Sequence, residues 1–322
     1  MNILIVAGDA SGDAHAARLV EALKELAPKA AFLGVGGPAL AAQGVRILLA
    51  AEELAVTGLT EVLGKLPAVW RALRLIRQVM QRDRPRLVIL VDFPDFNFWV
   101  ARLARYYRLP VMYYISPQVW AWRTYRVRTL ALLVSRLVVI FPFEAEFYQG
   151  KGLPVTYVGH PLQETLPALP PRSELLEGWG LDADRLTIAL LPGSRGSEIE
   201  RHLPIMAAAA ELALKVVPAC QFVVPAASTA PMEMVRSYLS DFRGKLQIIS
   251  GQAYAALAAS HLAVAASGTA TLEAALAATP TIIVYSLAPL SYAVGKRLVR
   301  VEHIGMANLL AGERILDRKS VV

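Results

Sequence analysis

Short, continuous apolar runs separated by helix-length stretches constrain this chain more than any other feature. The first, Asn2 to Ala7, reads NILIVA; a Gly-rich turn follows, then an apolar face at helical spacing through Leu19, Val20 and Leu23. The run recurs at Ala31 to Val35, Leu87 to Val91, Val111 to Ile115 and Leu137 to Phe141. A strand that is apolar throughout needs cover on both faces, which predicts a parallel sheet with helices on each side. Around His160 the period is lost among Pro161, Pro167, Pro170 and Pro171, and it resumes at Leu186 to Leu191, Gln221 to Val224, Gln247 to Ile249, Leu262 to Ala265 and Thr281 to Tyr285. The expected architecture is therefore α/β, with two doubly wound domains at 1–164 and 165–322. ILIVAGDASGD (Ile3 to Asp13) and IALLPGSRGSE (Ile188 to Glu198) echo one another as the opening strand and turn of each half, and neither fits the G-x-G-x-x-G dinucleotide pattern.

The same turns hold the candidate chemistry. LAVAASGTATLE (Leu262 to Glu273) is a strand, a tight turn at Ser267-Gly268-Thr269 and a helix start carrying Thr271 and Glu273. That geometry aims backbone N–H groups and a helix dipole at one point and suits a phosphate; a plain helix cap at Ser267 or Thr269 accounts for it as well. In LPGSRGSE (Leu191 to Glu198), two glycines permit close backbone approach and Arg195 brings a planar cation suited to phosphate oxygens, or the loop is a turn with a solvated arginine. VDFPDFN (Val91 to Asn97) follows a strand with two carboxylates among aromatics, where burial would raise proton affinity. Asp92 is the candidate base, while Asp95 and Asn97 read as cap or turn residues. SPQVWAWR (Ser116 to Arg123) carries Trp120 and Arg123; without a recognition-helix or RNA-binding signature it reads as core packing or an acceptor pocket, and nucleic acid is not expected as a partner.

Charge and hydropathy narrow the partners. The net charge of +7 concentrates in Arg71 to Arg86 and Arg123 to Arg136, which favours phosphate-bearing partners. No run reaches the length of a spanning helix, and the N-terminus lacks a secretory pattern, so a cytoplasmic location is expected. Leu63 to Met80 sets Leu66, Val69, Trp70, Leu73, Ile76 and Met80 at helical spacing, with Arg71, Arg74 and Arg77 largely away from them. An ordinary packed helix explains this, and so does one lying in an anionic lipid interface. The five histidines show no metal-ligand spacing, and Cys220, the only cysteine, sits in an apolar run, so neither a metal site nor a disulfide is expected.

Taken together, AGDASGD (Ala7 to Asp13), VDFPDFN, SPQVWAWR, LPGSRGSEIE (Leu191 to Glu200), SGTATLE (Ser267 to Glu273) and NLLAG (Asn308 to Gly312) resemble the lipid A disaccharide synthase family over Ile3 to about Arg314. The resemblance implies a glycosyltransferase B fold, two Rossmann-like domains facing a cleft. It implies inverting transfer of 2,3-diacylglucosamine from UDP to the 6-hydroxyl of 2,3-diacylglucosamine 1-phosphate, without a metal or other cofactor. Carried onto this sequence, Asp92 is the base, and Asp9 and Ser11, with Trp120 and Arg123, serve the acceptor side; Asp9 stands where other members can carry Glu. Arg195 and Asn308 match the polar residues required in the C-terminal domain; the helix-start reading adds Ser267, Gly268, Thr269 and Thr271 to the expected UDP site, and Glu273 as an acceptor for ribose hydroxyls. Acylated substrates imply a membrane surface, met through Leu66, Val69, Trp70, Leu73, Arg74 and Arg77, on the inner face of the cytoplasmic membrane. A homodimer is left open. Family members continue beyond the NLLAG block, and Leu316 to Val322 does not resemble that continuation, so a truncated chain is expected. Two other readings stand beside this one: a UDP-GlcNAc 2-epimerase-like isomerase, and an inactive membrane-surface binding protein.

Overall fold

A computed structural model describes residues 1–54, 61–227, 230–286 and 305–320, and leaves out the side chains of 61–66, Trp122, Thr165 and 318–320. The chain divides into two compact units, Met1–Pro161 and Leu162–Val322. In the first, β1 (Asn2–Ala7), β2 (Ala31–Gly36), β3 (Arg46–Ala50), β4 (Leu87–Val91), β5 (Val111–Tyr114), β6 (Arg136–Val139) and β7 (Val155–Tyr157) form a parallel sheet in the order β3-β2-β1-β4-β5-β6-β7. In the second, β8 (Thr187–Leu191), β9 (Gln221–Ala226), β10 (Lys245–Ser250), β11 (Leu262–Ala266), β12 (Thr281–Tyr285) and β13 (Asp317–Ser320) follow the order β10-β9-β8-β11-β12-β13. The two orders are alike from the first strand outwards, and each reverses direction between its first and fourth strands, where doubly wound sheets bind ligands.

Alternation along β1 explains why its sequence is apolar throughout. Leu4 and Val6 join Val88 and Leu90 against Ala72, Ile76 and Met80 of the helix Glu61–Arg82 and Phe98 and Ala101 of the helix Pro94–Tyr106. Ile3, Ile5 and Ala7 face the other way, onto Ala16, Ala17 and Val20 of the helix Ala10–Leu26. The second unit repeats this: Ile188 and Leu190 meet Ile199, Leu203 and Met206 of the helix Gly196–Val216, while Ala189 and Leu191 meet Leu257 and Ala274. Burying each of these larger side chains contributes about 1.5–3 kcal/mol, so both layers of each sheet are strongly specified. Cys220 is buried in the second unit's core.

The last described residues give a strand that the sequence did not signal. β13 pairs in parallel with β12, Ile282 beside Asp317 and Tyr285 beside Ser320. It reads DRKS and is the last strand in the order of its sheet.

Candidate active site

At the switch point of the first sheet, the exits of β1 and β4 lie side by side. Asp92 and Phe93 both take left-handed backbone conformations, φ 41° and 46°. Asp tolerates this region; Phe does not, and the pair costs about 1–2 kcal/mol per residue. Buried side chains hold the turn. Asn97, fully buried, donates from Nδ2 to the carbonyls of Asp92 (2.7 Å) and Val91 (3.2 Å), and the Tyr113 hydroxyl donates to the Asp92 carbonyl at 2.7 Å. Three such bonds, each worth about 0.5–1.5 kcal/mol net, are on the scale of the strain. Gly8, at the exit of β1, lets the Phe93 ring close over its backbone: a Cβ there would stand 2.1 Å from the ring. The result is a half-buried Asp92 carboxyl at the carboxyl end of the sheet, on a turn that cannot relax without disrupting its neighbours. Asn97 thus fixes the turn, as the sequence suggested.

The other acids near β1 are committed to helix ends. Asp9 is the N-cap of Ala10–Leu26, with Oδ1 accepting from Gly12 N–H at 2.6 Å, and Ser11 is exposed. Asp13 is buried and accepts from the backbone N–H groups of Gly37, Ala39 and Leu40, capping the helix Pro38–Ala42. Asp95 is an ion-pair centre rather than a cap, because Arg123 and Arg126 each donate to its Oδ1 at 2.8 Å. Burial pushes its proton affinity up, but the two guanidinium groups outweigh that and hold the carboxyl below its usual range. Arg123 therefore links the exit of β5 to that of β4.

Trp120, in the short helix Val119–Trp122, is half-buried and donates its indole N–H to Glu144 Oε1 at 3.1 Å. Glu144 lies in the first turn of the helix Pro142–Tyr148, and its Oε2 accepts from the backbone of Ile140 and Phe141. The Trp120 ring stands edge-on to Phe143 at 4.9 Å; Phe143 stacks on Phe141, which meets His160, which in turn meets His15. Burial is the main cause that pushes the Glu144 carboxyl up to about 7 and His15 down to about 4. Behind Trp120, the Ser116 and Tyr148 hydroxyls share a hydrogen bond at 2.8 Å.

In the second unit, the exits of β8 and β11 meet the expectation of a switch-point anion site only in part. Gly193 has φ +115°, and a Cβ there would stand 2.4 Å from Glu198 Oε2. Glu198 accepts from the N–H groups of Ser194 (2.9 Å) and Arg195 (3.3 Å), so these two donors are occupied by the protein itself. What remains available is the Arg195 guanidinium, 63% exposed and only loosely paired with Glu198 at 3.3 Å. Beside it, the N-cap of the helix Thr269–Leu276 is Gly268, which has no side chain to cap with; Ser267 is half-buried and Thr269 exposed. Glu273, one turn in, is half-buried, and burial raises its carboxyl.

Two residues expected to touch UDP face inwards instead. Thr271 is fully buried and donates its hydroxyl to the Gly268 carbonyl at 2.8 Å, so it shapes the turn. Asn308 is buried and exchanges both hydrogen bonds of its amide with the backbone of Leu316, Nδ2 to O at 2.9 Å and N–H to Oδ1 at 2.8 Å. It fixes the approach to β13. His202 was not singled out by its sequence setting; its Nδ1 bonds the Pro192 carbonyl at 2.9 Å and its Nε2 accepts from Ser286 N–H at 3.1 Å, tying the exits of β8 and β12 together.

The helix Glu61–Arg82 divides the residues expected at a membrane. Val69 and Leu73 pack against the core with Ala72, Ile76, Val79 and Met80, which corrects their assignment to an outward face. At 3.6 residues per turn, Trp70 lies about 120° round from Ile76, and it is 70% exposed, on the side of Arg74 and Arg77 rather than in the buried stripe. The side chain of Leu66 lies outside the described residues. On the adjoining helix Pro94–Tyr106, Trp99 and Tyr106 are 57% and 74% exposed, and the Arg102 guanidinium sits 5.1 Å from the Trp99 ring centre. No helix among the described residues is long and apolar enough to cross a membrane.

The residues that the sequence did not single out for the site, Tyr113, Glu144, Tyr148 and His202, share one trait. Each acts through a partner brought near by the sheet order, and a local motif carries no sign of that partner. Only FPFEAEFY (Phe141 to Tyr148), with Glu three residues into a helix, carried a visible signal, that of a cap.

The whole chain also matches known proteins. It is 43% identical over 314 residues to the lipid-A-disaccharide synthase of Geobacter sulfurreducens, covering 98% of this chain and 82% of that one. The synthase of Syntrophus aciditrophicus is 45% identical, with 97% and 82% covered. Among solved structures, UDP-GlcNAc 2-epimerase from Neisseria meningitidis bound to UDP-GlcNAc superposes with a TM-score of 0.64 at 14% identity, covering 97% of this chain and 90% of that one. The glycotransferase of kitacinnamycin gives 0.62 at 13%, with 99% and 86% covered. At such identities these structures speak for the shared two-domain α/β fold alone. The profile of the family described as lipid-A-disaccharide synthetase matches residues 3–319, and so extends past Arg314 into Leu316 to Lys319. This chain belongs to the lipid-A-disaccharide synthetase family.

Proposed function

We propose that this chain is a lipid-A-disaccharide-forming glycosyltransferase in which Asp92 is the general base. A diacylated glucosamine passes from UDP to the 6-hydroxyl of the acylated glucosamine 1-phosphate. Asp92 takes the hydroxyl proton as the oxygen attacks the anomeric carbon, and the anomeric carbon–phosphate oxygen bond breaks with its electron pair leaving on UDP. The observation that carries the base assignment is the strained Asp92–Phe93 turn, held by Asn97 and Tyr113 at the switch point. UDP leaves with added negative charge. Among the described residues of the second unit, Arg195 and the start of Thr269–Leu276, whose N-cap Gly268 has no side chain, are suited to receive it, with no metal needed. Incubation with UDP-diacylglucosamine and the phosphorylated acceptor, followed by assay of UDP and disaccharide, tests the reading. Asp92→Ala should lower turnover by at least roughly a hundredfold, the scale of general-base catalysis, and a wild-type rate would end the assignment.

The same reading places the first unit on the inner face of the cytoplasmic membrane. Its support is the exposed set Trp70, Arg74, Arg77, Trp99, Arg102 and Tyr106 on two adjoining helices, aromatic rings for the interface and cations for anionic headgroups. Trp70→Glu with Trp99→Glu should weaken sedimentation with phosphatidylglycerol vesicles while leaving thermal unfolding unchanged, since neither ring is part of the core. Equal vesicle binding would tell against this face.

A further inference from the structure

Glu144 stands apart from the ionisable groups already discussed. It is 1% exposed, yet its carboxylate accepts from three donors: the backbone N–H groups of Ile140 and Phe141, and the Trp120 indole 24 residues earlier in the chain. The first two bonds cap the helix Pro142–Tyr148, and an exposed carboxylate or an amide would serve that purpose equally. The third is different. It joins the exit of β6 to the exit of β5, and β5 is the neighbour of β4, the strand that leads into Asp92. Trp120 is half-buried, its ring meets that of Phe143 at right angles with 4.9 Å between centres, and the indole N–H bond to Glu144 adds a directional contact that orients the ring.

We propose that Glu144 is a positioning residue which, by pinning the Trp120 indole, sets the wall against which the acceptor sugar is held. This rests on the reading of the first unit as the acceptor side. The ring of Trp120 offers an apolar face to the C–H face of a hexose, and the pin removes the rotational freedom that the ring would otherwise lose on binding.

Glu144→Gln separates the pin from the cap. The amide oxygen still accepts from Ile140 and Phe141, but its NH2 now confronts the indole N–H, donor against donor. Trp120→Phe removes the other partner of the same bond. Two measurements on the full chain decide the matter. In spectra of protein carrying 15N-labelled tryptophan, the Trp120 indole resonance, identified by its loss in Trp120→Phe, should move in Glu144→Gln while the other four indole resonances stay. In steady-state kinetics, Glu144→Gln should raise the acceptor KM roughly tenfold, the scale of one lost hydrogen bond to a charged group, and leave the donor KM unchanged. Combined with Trp120→Phe, it should cost no more than the larger single effect. An indole resonance that does not move overturns the pin, whether or not the protein makes disaccharide. A moved resonance with a wild-type acceptor KM, or with donor and acceptor KM raised alike, overturns the acceptor role. Failure of the function itself would instead show as no disaccharide from the wild-type chain.

Discussion

At the scale of single residues, Glu144 sets stability against use. Burial is the largest cause of its raised carboxyl, about 7 against an ordinary 4.5; the Phe141, Trp120 and Ile140 donors oppose it, and Asp92 adds to it. Tyr148, packed on the same helix, is itself pushed up by burial and by the Glu144 charge. A group whose folded value is raised binds its proton more tightly in the folded chain. Its contribution is therefore complete below 4.5, declines as pH rises, and is gone above about 7; the difference amounts to roughly 3 kcal/mol. The pin, however, needs the carboxylate, because a carboxylic acid facing three donors must turn its own hydrogen on one of them. Denaturant unfolding between pH 5 and 8 should show the wild-type chain losing stability along this slope and Glu144→Gln lacking it. Over the same interval the acceptor KM of the wild-type enzyme should fall as pH rises through about 7, and that of Glu144→Gln should stay flat. A wild-type profile parallel to the variant's in both measurements would remove Glu144 from the account.

Among the elements, the turn from β4 into Pro94–Tyr106 is where backbone strain and the proposed base coincide, and its supports are separable from that role. Asn97→Ala removes two donors from carbonyls that stay buried and should cost about 1–3 kcal/mol of stability; Tyr113→Phe leaves the Asp92 carbonyl one donor and should cost about 1 kcal/mol. If Asp92 is the base as proposed, both should lower kcat, roughly tenfold or more, with either KM little changed, because a shifted carboxyl misplaces the proton acceptor and leaves binding alone. A KM effect of the same size would move the turn into substrate binding. This element also marks how far the sequence could be read. β1, β4, β8 and β11 were legible because strands buried on both faces are apolar at every position, and the exits followed directly, Gly-containing after β1, β8 and β11 and DFPDFN after β4. β3, β7 and β13 were not, since strands at or near the sheet edge need only one covered face and can be as polar as DRKS. Asp92 was legible by its place after a strand; the left-handed turn was not, because Phe93 is an unfavourable residue there and only Gly8 in β1's exit makes room for it. Thr271 and Asn308 were read as ligand groups because residue type and spacing say nothing about which way a side chain faces. Their direction is set by the Gly268 carbonyl and by the backbone of Leu316, the latter eight residues away.

Across the whole molecule, one topology occurs twice, and the two copies carry opposite chemistry at equivalent points. At the exits of β1 and β4 Asp9 caps its helix and Asp92 presents its carboxyl; at the exits of β8 and β11 Glu198 is spent on backbone N–H groups, and Arg195 and a helix start with Gly268 as N-cap are presented. A carboxylate suits proton removal from an attacking hydroxyl, and a guanidinium beside a helix N-terminus suits a departing diphosphate. The division of labour has a measurable consequence that does not depend on turnover. UDP alone should protect backbone amides of the second unit, chiefly within Leu191 to Glu198 and Ser267 to Glu273, and leave Asp92 to Asn97 exchanging as before. At a hundred times its Kd it should add about 2.7 kcal/mol to the unfolding free energy of the unit that binds it. Asp92→Ala should keep that protection in full while lowering turnover at least roughly a hundredfold, and Arg195→Ala should lose most of it, since the neighbouring N–H groups of Ser194 and Arg195 are already held by Glu198 and, among the described residues of these two turns, the guanidinium is the cation placed to meet the phosphates. Protection appearing at Asp92 to Asn97 instead would reverse the assignment and make the first unit the nucleotide site, because a ligand can stabilise only the unit whose folded form it binds.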